Sequence, residues 1–147
     1  MAEKPFLSAA FLCEKVLRET DEVLTAVRIV DTFYVTVPKT LPPGMKPSIQ
    51  TTLLLSFTKT LETGAQKHRA KIRVYNPSGS PVGEEPLEVD MIFKDEAIAK
   101  CNLVINLGLG IEGFGRYRID VFVDDDKPVT HIPFMLLERP ESATIVQ

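Results

Sequence analysis

The chain is predicted to be all-β, an antiparallel two-sheet β-sandwich of immunoglobulin-like or C2-like kind with about eight strands. Apolar and polar residues alternate with a period of two through most of the sequence, as strands do when one face lies against a core. The alternating runs are short, and segments rich in proline and glycine separate them. That punctuation belongs to sandwiches and barrels and not to alternating β-α units. A length of 147 residues with 44% hydrophobic and 25% charged side chains suits one domain, residues 1–147, with a continuous core.

The amino-terminal third is ambiguous by pattern. Phe6, Ala9, Ala10, Cys13, Val16 and Leu17 fit the i, i+3, i+4 spacing of a helix face. The run Val23 to Val37 is rich in β-branched and aromatic residues and favours a strand. The two runs are read as a long hairpin turning at Thr20-Asp21-Glu22, with a helix over 7–18 as the alternative. Pro38 to Ser48, with four prolines, is a loop.

Ile49, Thr51, Leu53, Leu55 and Phe57 then alternate as the inner face of a strand. His68 to Asn76 places Ala70, Ile72 and Val74 opposite Arg69, Lys71, Arg73 and Tyr75. After the three prolines of Asn76 to Pro86, Leu87, Val89, Met91 and Phe93 mark another strand, and Lys94 to Ala99 fits a single helical turn. Cys101, Leu103, Ile105 and Leu107 precede a stretch with four glycines, Gly108 to Gly115. Tyr117, Ile119, Val121 and Val123 lead through Asp124-Asp125-Asp126-Lys127 into Pro128 to Glu138, a hairpin. Pro133 cannot donate a ladder hydrogen bond, so this last run is an edge strand or a bulged one, and Pro128 to Glu138 is expected to be the edge.

Composition excludes more than it identifies. The 17 basic and 20 acidic residues form no block, and the net charge of −3 indicates no nucleic acid. Met1-Ala2-Glu3-Lys4-Pro5 lacks the basic and apolar regions of a signal peptide. No apolar run approaches the ~20 residues of a membrane span. Cys13 and Cys101 lie far apart in apolar runs and read as buried thiols. A soluble, cytoplasmic protein is expected.

Gly108-Leu109-Gly110-Ile111-Glu112-Gly113 matches the dinucleotide fingerprint. Phe114-Gly115 runs straight into a strand, however, and not into the helix whose amides would hold pyrophosphate. The segment is read as an inter-strand loop, and no cofactor is expected. His68 and His131 have no partner at zinc-ligand spacing, and no serine, cysteine or carboxylate pair stands in a catalytic context. No catalytic or metal-binding residue is assigned.

Asp124, Asp125 and Asp126 are oxygen ligands of the kind calcium takes, though aspartates are also common in plain hairpin turns. Arg69, Lys71, Arg73, Arg116 and Arg118 form a basic stripe suited to phosphate or an acidic partner, with only Tyr75 in line for stacking, or else a solvated face paired with Glu88, Asp90 and Asp120. Phe122, Val129, Met135 and Leu137 point away from the core-facing set. They are either covered by another segment of the chain or form an interaction patch.

The segments Phe11-Leu12-Cys13-Glu14-Lys15-Val16, Val27-Arg28-Ile29-Val30-Asp31 and Gly115-Arg116-Tyr117-Arg118-Ile119-Asp120-Val121-Phe122-Val123-Asp124 resemble an uncharacterised family of short bacterial β-sandwich proteins. The resemblance spans nearly the whole chain and implies a fold but no activity. The expectation is a non-enzymatic protein-binding or scaffold module that engages a protein partner or a second copy. The alternative is a calcium- or lipid-regulated C2-like sandwich.

Overall fold

A computed structural model describes residues 4–21, 23–37, 40–59 and 64–139. Met1 to Glu3, Glu22 of the predicted turn and Pro38 lie outside the described residues. All nine regular elements are strands: β1 (Phe6–Arg18), β2 (Leu24–Ile29), β3 (Thr32–Val35), β4 (Ser48–Thr58), β5 (Gln66–Tyr75), β6 (Leu87–Phe93), β7 (Lys100–Gly110), β8 (Gly115–Val123) and β9 (Pro128–Glu138). No helix long and apolar enough to cross a membrane is found among the described residues.

Alternation in the sequence becomes alternation in burial. In β5, His68, Ala70, Ile72 and Val74 are buried while Lys67 and Arg69 are exposed. Met91 and Phe93, Ile105 and Leu107, and Tyr117, Ile119, Val121 and Val123 are buried on the same principle. These faces meet between a four-stranded sheet, β2-β1-β4-β7, and a five-stranded sheet, β3-β9-β8-β5-β6. Phe57, Phe93, Tyr117 and Phe134 are fully enclosed there, each contributing about 1.5–3 kcal/mol by leaving water. Tyr117 stacks on Phe134 with centroids 5.1 Å apart.

Three hairpins, β1–β2, β5–β6 and β8–β9, supply much of the pairing. Residues 7–18 are a strand and not a helix, because β1 lies between β2 and β4 and bonds to both. The run Val23 to Val37 is two strands in different sheets, which brings the total to nine. Val30 still donates its N–H to Leu12 O on one sheet, whereas Asp31 O accepts from Met135 N on the other. Arg28, at φ 56°, bends the backbone just ahead of this exchange. Lys94 to Ala99 forms bends and no helical turn.

The expected edge strand is interior over its last four residues, Met135 to Glu138, and among the described residues has no strand on that flank before them. β9 is flanked by β8 and, in parallel, by β3, with Thr32 opposite Met135. Pro133 is accommodated because β3 is only four residues long. Met135 N points to the β3 flank, so the nitrogen two residues earlier faces the same flank, where β3 has not yet begun. Gly108 and Gly110 likewise belong to β7, opposite Gln50 and Ser48, and not to a loop. The turn into β8 is made by Gly113 and Gly115, at φ 99° and 133°, a region that L side chains rarely adopt.

Candidate functional site

Two places in this frame present polar groups that have no partner among the described residues. The first is the free edge of β7. Lys59 N donates to Ala99 O, and Ile111 N donates to Pro47 O, so the odd-numbered residues of β7 carry its bonds to β4. The even-numbered ones, Lys100 to Gly110, turn their N–H and C=O groups outward. None of these groups has a backbone partner among the described residues. The strand runs for 11 residues without proline or bulge, and its only charge is Lys100.

The other edges are blunted in the ways sandwiches use to avoid pairing. β3 has four residues, the flank of β9 that β3 does not reach carries Pro133 and a register shift, β2 is distorted at Arg28, and β6 carries Glu88 and Asp90, both ion-paired with Arg69. Leu87, Ile92, Ile98 and Val104 are exposed on the β6–β7 side of the sandwich.

The second place is a recess of about 350 Å³ on the outer face of the five-stranded sheet. It lies where Tyr75 ends β5, beside the Asn76–Gly79 turn, Arg116 and Arg118 of β8, and His131 and Pro133 of β9. The turn is held by Asn76 Oδ1, which accepts from Ser78 N and Ser80 N at 3.0 Å each. Buried Asp120 accepts from Arg118 Nε at 2.8 Å and from His131 Nδ1 at 2.6 Å, through one oxygen, Oδ1. Arg118 lies over the Tyr75 ring, 4.7 Å from its centroid, an arrangement that favours the cation and fixes its plane.

The residues singled out by sequence are distributed as follows. Phe122 is buried, with the Lys71 ammonium 4.9 Å from its ring centroid, and Val129 is exposed near it, beyond the bulge at Val121/Phe122. Met135 and Leu137 are half-buried beside Thr32 and Tyr34 of β3. Six residues of strand, about 20 Å, separate Val129 from Met135, and His131 and Pro133 stand between them, so the structure does not join the four into one patch.

The Asp124–Asp126 carboxylates are each engaged within the chain. Asp124 accepts from His68 Nδ1 and from Arg69 N, Asp125 pairs with Lys4 at 2.6 Å, and Asp126 pairs with Lys71 at 2.8 Å. Asp124 adopts φ 64°, which aspartate tolerates better than most residues. The hydrogen bond from Lys4 and the N–H of Lys127 hold the Asp125 carboxyl below its ordinary pKa. Among the described residues no three His, Cys, Asp or Glu side chains converge as metal ligands.

The basic stripe is partly neutralised, Arg69 by Asp90 and Glu88 and Arg118 by Asp120. Arg116 has no ion pair among the described residues. Cys13 is buried and Cys101 half-buried, both as free thiols, and burial pushes both thiol pKa values up.

The sequence points to Arg116, Arg118 and Tyr75 as part of a basic stripe, but neither the β7 edge nor the convergence of the recess was read from it. The uncharged stretch 101–110 was a legible sign of an unprotected edge. The meeting of Tyr75, Arg118, Asp120 and His131 was not legible, since it depends on which strands become neighbours.

The class of protein is thereby defined: an all-β sandwich of two sheets. Residues 8–136 match the sequence profile described as Family of unknown function (DUF6941), and the chain belongs to that family. No curated protein matches the chain.

Proposed function

We propose that this protein is a non-enzymatic binding module whose working surface is the β7 edge, and that its partner there is a second copy of the same chain. Two β7 strands pair antiparallel about a two-fold axis near Ile105, joining two four-stranded sheets into one. The observation that carries the reading is the row of unbonded backbone groups on a straight, almost uncharged edge of 11 residues. Self-pairing suits it because Asn102, Val104, Asn106 and Gly108 face their counterparts without like charges, and Lys100 meets a glycine.

Roughly ten new hydrogen bonds at about 0.5–1.5 kcal/mol each oppose about 4–15 kcal/mol of lost freedom. The dimer is therefore weak and concentration-dependent. The exchange of β2 and β3 between sheets, the parallel β3–β9 pair and the Tyr117 hydroxyl bonded to the Gly113 carbonyl support an immunoglobulin-like reading of the sandwich. The two free thiols accord with a reducing, cytoplasmic setting.

Sedimentation velocity across a concentration series tests the proposal. Wild type is expected to shift from monomer to dimer. Val104→Lys is expected to remain monomeric, and Met135→Glu to dimerise as wild type does. A wild-type protein that stays monomeric at the highest concentration, or a Val104→Lys variant that dimerises equally well, overturns it.

A further inference from the structure

We infer that the recess at Tyr75, Arg116, Arg118 and His131 is a binding site for a phosphoryl group, independent of the β7 edge and on the other sheet. Its chemistry is convergent. Arg118 and His131 are both anchored by the same oxygen of Asp120, whose side chain is only 6% exposed. The carboxylate therefore orients the guanidinium and the imidazole while presenting little of itself to the recess. With Nε committed to Asp120, the Arg118 Nη atoms have no protein partner among the described residues. With Nδ1 committed in the same way, His131 presents Nε2. Arg116 adds a guanidinium with no carboxylate of its own.

Two guanidiniums, Arg116 and Arg118, offer free N–H donors around one concavity, a set that suits the three terminal oxygens of a phosphoryl group better than the two of a planar carboxylate. Tyr75, Pro77 and Pro133 supply apolar walls, and the volume of about 350 Å³ admits a small phosphate ester as well as the free ion. Asp120 is a positioning residue here, since it acts through Arg118 and His131.

The test is calorimetric and NMR titration of the full chain with inorganic phosphate and, separately, phenyl phosphate. Binding is expected, with chemical-shift changes centred on Tyr75, Arg118 and His131. Arg116→Gln breaks no bond within the protein and is expected to weaken binding about tenfold, as is Arg118→Gln. Arg69→Gln, a neutralisation on the same sheet outside the recess, is expected to leave affinity unchanged. Tighter binding of phenyl phosphate identifies an ester as the ligand, and equal binding identifies the free ion. Absence of binding by either probe, or an equal loss in Arg69→Gln, overturns the assignment. Because Val104→Lys leaves the recess intact, phosphate binding by that variant separates this site from the edge.

Discussion

Removing a single oxygen from Tyr117 should weaken the whole sandwich by a modest, calculable amount. The ring is fully buried, stacked on Phe134, while its hydroxyl accepts from Glu112 N at 2.9 Å and donates to Gly113 O at 2.7 Å. It thus ties the turn between β7 and β8 to the core. Tyr117→Phe keeps the stack and removes both bonds, at about 0.5–1.5 kcal/mol each. Glu112 and Gly113 are exposed, so water replaces the lost hydroxyl and the loss falls at about 1–2 kcal/mol. For a chain of this size that lowers Tm by about 2–8 °C.

Urea denaturation should show an earlier midpoint at an unchanged slope, and Tyr117→Ala, which also removes the ring, should lose about 3–5 kcal/mol. Burial also pushes the Tyr117 phenol above its ordinary pKa. Its share of stability is therefore present below about pH 10 and lost as pH rises beyond it, so Tyr117→Phe should decline less steeply at alkaline pH. A Tyr117→Phe protein as stable as wild type, or one with an altered slope, would refute the reasoning.

Two further outcomes follow from the ionisable groups. With both thiol pKa values raised by burial, disulfide-exchange labelling of the native protein at pH 8 should be slower than for a free thiol at both sites. Cys101 should react first and fully buried Cys13 only on opening; equal fast labelling would contradict the burial. Asp125, held below its ordinary pKa by Lys4 and Lys127 N–H, contributes stability that is present above about pH 4 and lost as pH falls further. Asp125→Asn should flatten that part of the acid limb of the stability–pH curve, and an unchanged limb would show that the Lys4 pair contributes nothing in solution.

The faces of the strands were legible because burial of alternate side chains is a local property. Ala70, Ile72 and Val74, or Tyr117, Ile119 and Val121, read the same in sequence and in structure. The edge was not legible. Pro133 argues locally for an edge, and the flank is indeed open there, but β3 covers the last four residues of β9, Met135 to Glu138. The run Val23 to Val37 looked continuous because its hydrophobicity is continuous, whereas the change of sheet at Val30–Asp31 depends on which neighbour each residue's amide finds. Gly108 and Gly110 looked like a loop by composition and became strand because β4 extends far enough to pair with both.

From its residues alone the chain determines that it forms sheets, which side chains enter the core and where the hairpin between β8 and β9 turns, since period-two hydrophobicity and turn chemistry act within a few residues. Only tertiary structure decides which strand is left with an open flank, and that Arg118, Asp120 and His131 meet beside Tyr75. Strand order is set by the joint packing of both sheets, and a backbone amide carries no mark in the sequence of whether a neighbour will come to bond it.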